Sequence, residues 1–186
     1  IVLPSMMRPS TMAARISPTF YGTVHGIRSR NGEEAEGVVL LLPTTAAELD
    51  ALIGRLEKCA RFAVDTETTS QNPMEAVLVG ISVALTPWEA FYIPVGHRYI
   101  GAPEQLPREG VLDRLRPVLE NPGISKIGQN IKYDWMVLRR HGADLAGVDF
   151  DTMVASYLIN PGKRAHGLDQ IALDYLGHKN ISYEEV

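Results

Sequence analysis

Apolar and polar positions change from one periodicity to another along the chain, and each change marks a new element. Residues 38–42 form the apolar run VVLLL, which predicts a buried strand. In the segment that follows, Thr45 and Glu48 have the spacing of a capping box, so a helix is predicted to begin there. Apolar side chains then fall on one face of this helix, at Leu49, Leu52, Ile53 and Leu56.

Three apolar runs separated by turn residues follow the helix. They are RFAVDTE at 61–67, AVLVGISVAL at 76–85 and EAFYIPV at 89–95, with QNP and TPW between them. Short strands joined by such turns pair with their neighbours along the chain. The pattern therefore predicts an antiparallel meander of three strands.

The second half of the chain alternates between helical and strand patterns. A helix is predicted at 111–121, with a kink or an early end at Pro117, and another at 131–142, closed by Gly142. The remaining elements are predicted as strands at 124–128 and 147–151 and as helices at 152–160 and 167–178. A meander followed by alternating helices and strands predicts an α/β domain in which helices pack on a mixed sheet.

The N-terminal segment differs from the rest. The first 32 residues contain four arginines and no acidic residue, with scattered Ser, Thr and Pro and no periodicity. This pattern predicts a poorly ordered extension or linker at 1–36 and one domain at 37–186. An organelle transit peptide has a similar composition, but the chain opens on Ile1, so a piece of a larger polypeptide is the favoured interpretation.

Composition narrows the class of protein. The 186 residues are 45% apolar and 22% charged, which is typical of a single globular domain. The net charge is −4, so any nucleic-acid binding has to come from a local site. The single Cys59 excludes an internal disulfide and a cysteine zinc site and fits a reducing cytoplasm. No apolar stretch approaches the length that crosses a membrane, so no membrane partner is expected.

Two acidic residues end the first strand of the meander. Side chains at i and i+2 of a strand point to the same face, so Asp65 and Glu67 are predicted to lie about 6.6 Å apart along it. Like charges so placed are tolerated when both are solvated, when one is protonated, or when a cation lies between them. Taken alone, the sequence DTET is more often a solvated turn or a helix cap than a metal site.

Asp134 is the third informative acid. It is predicted to share the apolar face of its helix with Ile131, Trp135 and Leu138, so it needs a cation, a metal or a set of donors as its partner. For Trp135, packing in the core is the favoured interpretation. For Asp134 alone, a first-turn acid favoured by the helix dipole is the simpler explanation.

The three acids are predicted to converge if the strand at 124–128 pairs with the first strand of the meander. Asp65, Glu67 and Asp134 would then form a site of oxygen ligands alone, which favours Mg²⁺ or Mn²⁺ over zinc. Two such ions can activate a water and stabilise the leaving oxygen of a phosphodiester. The sequence thus predicts shared cations as the reason for the paired acids.

Four segments resemble, in this order, a known enzyme family. They are FAVDTETTS at 62–70, KIGQNIKYDWMVL at 126–138, VDFDTMVASYLINP at 148–161 and HGLDQIALDYLG at 166–177. With the connecting YIPVGHRY, they are similar to the 3′-5′ proofreading exonuclease domain of bacterial DNA polymerase I, a family-A polymerase. The resemblance extends over residues 37–186. It implies a DEDD exonuclease with a ribonuclease H-like fold, an antiparallel meander followed by parallel strands, with helices on both faces of the sheet.

The resemblance also implies catalytic roles. Asp65 and Glu67 match the first motif of the family and Asp134 the second, so these three are expected to be the catalytic, metal-binding residues. Asp65 is expected to bridge two Mg²⁺ or Mn²⁺ ions, and Glu67 to bind one of them and orient the attacking water. Asp134 is expected to hold the other ion, largely through water. The third motif of the family, Tyr-x-x-x-Asp, is expected beyond a segment like KNISYEEV at 179–186, which makes the domain incomplete at its C-terminus.

The implied substrate is the single-stranded 3′ end of DNA. Its expected contacts are Thr66, through the backbone, Gln129 and Asn130, next to the second motif, and Tyr133, by stacking on a base. The polymerase domain of the same parent chain is the expected partner, in the bacterial cytoplasm. Two alternatives stay open: an RNA-trimming enzyme similar to ribonuclease D, and a non-catalytic module that braces a polymerase or holds DNA.

Three further polar residues have structural interpretations. His166 is a loop histidine that is predicted to form structural hydrogen bonds. Asp151 and Asp169 are predicted to cap a strand end and a helix start rather than to bind metal.

Overall fold

The computed structural model describes residues 39–87, 89–98, 102 and 104–177, so the predicted extension at 1–36 lies outside the described residues. The strands are β1 (Val39–Leu41), β2 (Arg61–Thr68), β3 (Leu78–Thr86), β4 (Glu89–Pro94), β5 (Ser125–Gly128) and β6 (Val148–Asp151). The helices are α1 (Ala46–Leu56), α2 (Arg108–Leu119), α3 (Ile131–Arg140), α4 (Thr152–Ile159) and α5 (Leu168–Ile171), the last continued by a π-helical turn, Ala172–Leu176.

The described strands form one mixed sheet in the order β1-β4-β3-β2-β5-β6. β2, β3 and β4 pair antiparallel, as the meander predicts. β5 then pairs parallel to β2, β6 parallel to β5, and β1 parallel to β4 at the far edge. The predicted ribonuclease H-like mixed sheet is confirmed. None of the helices in the described ranges has the length and apolar character needed to cross a membrane.

The two faces of β2 are chemically different. Phe62 and Val64 point into a large core that α1, α2 and α3 share with one face of the sheet. On the opposite face a smaller buried cluster consists of three alanines and one isoleucine, Ala63, Ala84, Ala90 and Ile127. Because side chains alternate along a strand, the acids at positions 65 and 67 lie on this second face.

α2 corrects the prediction of an early end at Pro117. The helix continues to Leu119, since Pro117 lies in its last turn and removes only one backbone hydrogen bond. The buried side chains of Val118 and Leu119 offset that loss by burying apolar surface in the core.

Candidate active site

β2 presents two carboxylates near its C-terminal end, in the middle of the sheet. In the pairing with β3, Asp65 lies directly across from Ser82, and Glu67 across from Gly80. Glu67 is 5% exposed and Asp65 is partly buried. The apolar residues on the other face of β2 fix this register, because a slip of one residue would turn both acids into the core.

Asp134 reaches the same part of β2 from the first turn of α3. Its side chain is buried, and its Oδ1 accepts two hydrogen bonds from Thr66, one from the backbone N–H at 2.8 Å and one from Oγ1 at 2.6 Å. Thr66 is the residue between Asp65 and Glu67. The structure therefore brings the three predicted acids together.

Burial, and after it the charges of neighbouring acids, disfavour the ionised forms of all three carboxylates in the metal-free protein. Burial, with the charges of Asp134 and then Glu67, raises the pKa of Asp65 well above its usual range. Burial and the charge of Asp134 raise the pKa of Glu67 to about 8. Burial also raises the pKa of Asp134, although the Thr66 hydrogen bonds oppose it. Within the described residues no ion pair or side-chain hydrogen bond compensates Asp65 or Glu67.

This donor set fits hard divalent cations. Carboxylate oxygens are the ligands that Mg²⁺ and Mn²⁺ prefer, and a cation among these acids would offset their repulsion. In the described part of the chain, no three His, Cys, Asp or Glu side chains are already arranged around a common metal position. Ion binding would therefore require these carboxylates to turn toward a shared centre.

The metal-free protein is expected to lose stability as the pH rises from about 6.5 to about 8. In this window the folded protein keeps a proton on Glu67, whose usual pKa is 4.5, whereas the unfolded chain has lost it. Raising the pH therefore favours unfolding, by up to about 1.4 kcal/mol per pH unit for each such group. Urea unfolding with a chelator present measures this slope, and excess Mn²⁺ is expected to reverse the loss.

The Glu67→Gln variant is the control for this experiment. His97 has the opposite effect on stability at lower pH. Burial lowers its pKa, so the unfolded chain binds a proton that the folded protein does not, and stability rises with pH until the ordinary pKa of 6.5 is passed. The measurement therefore begins above pH 6.5, where this effect has ended. A flatter slope in Glu67→Gln than in the wild-type protein is expected, and equal slopes would contradict the assignment.

Asp151 holds the start of α3 and thereby the backbone that carries Asp134. Its carboxylate accepts hydrogen bonds at 3.0 Å from the N–H groups of both Asn130 and Ile131, and it also caps α4 through Met153. The capping role at α4 agrees with the prediction. The hydrogen bonds to Asn130 and Ile131 were not predicted from the sequence. They form only because β5 and β6 pair side by side, which brings the end of β6 next to the start of α3.

The residues predicted to contact substrate are engaged within the protein. The Thr66 backbone N–H is donated to Asp134. Gln129 donates to the His166 carbonyl at 2.9 Å and accepts from Thr152. The contacts of Thr66 and Gln129 with the substrate stay predictions.

Asn130 and Tyr133 also have protein partners. Asn130 has a left-handed backbone, with φ of 56°, and its side chain accepts from Lys132. The Tyr133 hydroxyl lies 2.5 Å from Thr68 Oγ1 and donates to the Ser70 carbonyl, which ties α3 to the end of β2. Their predicted contacts with DNA stay predictions.

Three other predictions have structural outcomes. Trp135 is 42% exposed and donates to Asp144 at 2.5 Å, so the prediction of core packing was wrong. His166 is buried and lies 2.8 Å from Ser156 Oγ. The cap position of α5 is Gly167, and Asp169 lies in the first turn instead.

A family model described as 3′-5′ exonuclease matches residues 41–186 of the chain. The chain belongs to the 3′-5′ exonuclease family. Enzymes of this family are hydrolytic nucleases and are in general dependent on metal ions. A metal requirement of this kind explains why Asp65 and Glu67 have no cationic side chain as a partner among the described residues.

Curated relatives of this exonuclease chain are DNA polymerases I. One from Pseudomonas aeruginosa is 44% identical over 142 residues, which is 75% of this chain and 16% of that protein. One from Chloroflexus aurantiacus is 33% identical over 209 residues, covering 99% of this chain and 22% of that protein. The chain therefore spans less than a quarter of the length of these relatives.

Solved structures share the exonuclease fold. The POL domain of Pol1 from M. smegmatis, in complex with DNA primer-template and dNTP, has a TM-score of 0.61 and 26% identity, over 76% of this chain and 23% of that one. NrnC from Brucella melitensis with bound Mg²⁺ has a TM-score of 0.56 and 23% identity, and the match covers 78% of this chain and 65% of that one. Ribonuclease D from Trypanosoma brucei has a TM-score of 0.61 and 16% identity, and the match covers 77% of this chain and 49% of that one.

Proposed function

We propose that the chain is the proofreading 3′-5′ exonuclease domain of a DNA polymerase I, which hydrolyses the 3′-terminal phosphodiester of single-stranded DNA with two Mg²⁺ or Mn²⁺ ions. The observation that carries this proposal is the cluster of Asp65, Glu67 and Asp134 in a chain of the exonuclease family. The similarity to DNA polymerase I supports DNA as the substrate.

Each acid has a defined part in the proposed reaction. Two divalent ions, when bound, would activate a water and stabilise the leaving oxygen. Asp65 and Glu67 would hold them on the face of β2 opposite the large core, and Glu67 would give up its proton as they bind. Thr66 positions Asp134 through two hydrogen bonds, so that its second oxygen stays available for a water or an ion. Asn130 and Tyr133, at the start of α3, would contact the terminal nucleotide.

The proposed setting is a longer bacterial polypeptide that works in the cytoplasm and also carries a polymerase domain. A short frayed 3′ end requires little positive charge from the protein, because the ions supply much of it. The net charge of −4 is therefore compatible with this substrate.

Nucleotide release from labelled single strands tests the proposal. The 186-residue chain is incubated with DNA or RNA of the same sequence, labelled at either end, with Mg²⁺, Mn²⁺ or a chelator. Stepwise shortening of DNA from its 3′ end, only with an ion, is the expected result. Faster cleavage of RNA would favour the ribonuclease D-like alternative. No cleavage with either ion would overturn the claim that this chain is itself a nuclease and would favour the non-catalytic module.

A further inference from the structure

Ser82 carries a buried hydroxyl that has no hydrogen-bond partner among the described residues. It lies in the middle of β3, and its side chain is fully buried. Such a hydroxyl costs stability, because its hydrogen bonds to water are lost on folding and are not replaced. Buried polar groups without a partner are rare in native proteins, and a catalytic role or a bound ion or water is a common reason for one.

The packing around Ser82 does not require a hydroxyl. Alanine occupies three neighbouring positions on this face of the sheet, at Ala63, Ala84 and Ala90. Ala84 follows Ser82 by two residues on β3 and therefore shares its face. An alanine at position 82 would fill nearly the same space without an unpaired polar atom. The hydroxyl group, rather than the size of the side chain, is therefore what distinguishes this position.

Asp65 is the polar neighbour that the Ser82 hydroxyl can reach. The two residues lie directly across from each other in the pairing of β2 with β3. Side chains so placed have Cβ atoms about 4.5–5.5 Å apart, so a rotation about χ1 brings a serine hydroxyl to hydrogen-bond distance from an aspartate carboxylate. On the other side of β3, Ser82 lies across from Tyr92, whose ring packs over Gly80 and whose hydroxyl is 2.5 Å from His97 Nε2. The phenol group of Tyr92 is thus directed away from Ser82.

The site already contains one pair of a hydroxyl with a carboxylate. Thr66 Oγ1 donates to Oδ1 of Asp134 at 2.6 Å, which fixes that carboxylate and leaves its second oxygen available. For Asp65 the described residues supply no such donor in the metal-free protein, although ion binding requires its carboxylate to turn toward a shared centre. Hydrogen bonds to ligating carboxylates orient them and raise metal affinity.

We propose that Ser82 is a positioning residue of the metal site, whose hydroxyl donates a hydrogen bond to the Asp65 carboxylate when that carboxylate binds a divalent ion. The hydrogen bond fixes the direction in which the carboxylate faces the ion. This inference rests on the proposed function, because it requires Asp65 to be a metal ligand. It makes the hydroxyl unfavourable for the metal-free protein and favourable for the metal-bound one.

Ser82→Ala is therefore expected to act in opposite directions on the metal-free and the metal-bound protein. With a chelator present, the variant is expected to unfold at a higher urea concentration than the wild-type chain, because the unpaired hydroxyl is removed. In calorimetric titration with Mn²⁺, its Kd is expected to rise roughly tenfold. In nucleotide release, the Mn²⁺ concentration that gives half the maximal rate is expected to rise in the same way, whereas KM for the DNA strand stays unchanged.

Ser156→Ala is the matched control. Ser156 is also buried, but its Oγ already lies 2.8 Å from His166 Nδ1. Removing a hydroxyl that has a partner is expected to lower the urea midpoint in chelator and to leave the Kd for Mn²⁺ unchanged. The two serine variants are thus expected to show opposite patterns.

The outcomes separate this proposal from the proposed function. A wild-type chain that binds no Mn²⁺ would overturn the proposed function and the role of Ser82 with it. If the wild-type chain binds Mn²⁺ and Ser82→Ala binds it equally tightly, only the role of Ser82 is overturned. A Ser82→Ala protein that is less stable than the wild type in chelator would also overturn that role, because the hydroxyl would then have a partner in the metal-free protein.

Discussion

Replacing Asp65 by asparagine is expected to slow nucleotide release from a single-stranded 3′ end by about a thousandfold or more. Burial raises the pKa of Asp65 most, and the charges of both Asp134 and Glu67 raise it further. Removing its charge weakens the attraction for both proposed ions. Bound metal contributes several kcal/mol of transition-state stabilisation, and each 1.4 kcal/mol corresponds to a factor of about ten in rate.

The same substitution is expected to make the metal-free protein more stable at about pH 8, because burial and the neighbouring acids disfavour the charged form of Asp65 in the folded protein, whereas asparagine carries no charge. Unfolding in urea with a chelator measures that gain, and calorimetric titration with Mn²⁺ measures the loss of ion binding. Asp113→Asn is the matched control, since Asp113 is exposed on α2 and pairs with Arg116 at the surface. A variant that kept both ion affinity and rate would contradict the assignment of Asp65 as a ligand.

The convergence of the acids was predictable from local patterns. Asp65 and Glu67 share a face because strand geometry has a period of two, and the run RFAVDTE identifies the strand. Asp134 follows one short strand that pairs parallel to β2, and helices that follow parallel strands start at the same edge of the sheet. The two-residue period of a strand and the parallel pairing of β5 with β2 were therefore enough to predict that the three carboxylates lie together.

The partners of the polar side chains were not predictable in the same way. The hydrogen bonds from Thr66 to Asp134 and from Asn130 to Asp151 join residues that are 68 and 21 positions apart. Such contacts depend on the exact offset between neighbouring elements, which periodicity does not determine. Trp135 was misassigned for a related reason: it lies at the margin of the apolar face of α3, and its indole N–H requires a polar partner, which Asp144 supplies at the surface.

Gly80 was not recognised in the sequence, and Gly80→Ala is expected to destabilise the protein by about 3–5 kcal/mol. A Cβ at this position would lie 1.9 Å from the Tyr92 hydroxyl and 2.3 Å from its Cζ. Tyr92 is fully buried and its hydroxyl contacts His97, so the ring has no vacant space to enter and displacing it would break a buried polar contact. Urea unfolding measures the loss.

Gly54→Ala is the matched control, because no atom lies within 4 Å of a Cβ built at Gly54, in the last turn of α1. There the substitution is expected to stabilise the protein by about 0.5–1 kcal/mol, the usual gain when alanine replaces glycine in a helix. If the clash with Tyr92 is the cause at Gly80, Tyr92→Leu is expected to recover part of the loss in a double-mutant cycle.

If the two substitutions change the free energy of unfolding additively, the clash with Tyr92 does not explain the cost of Gly80→Ala.

If the two substitutions are coupled, the displaced Tyr92 ring should also affect the metal site. Gly80 lies directly across from Glu67, so an alanine there would push Tyr92 and His97 away from the row of the sheet that positions this acid. The Gly80→Ala protein is therefore expected to lose Mn²⁺ affinity under conditions where it remains folded, and Gly54→Ala is expected to keep it.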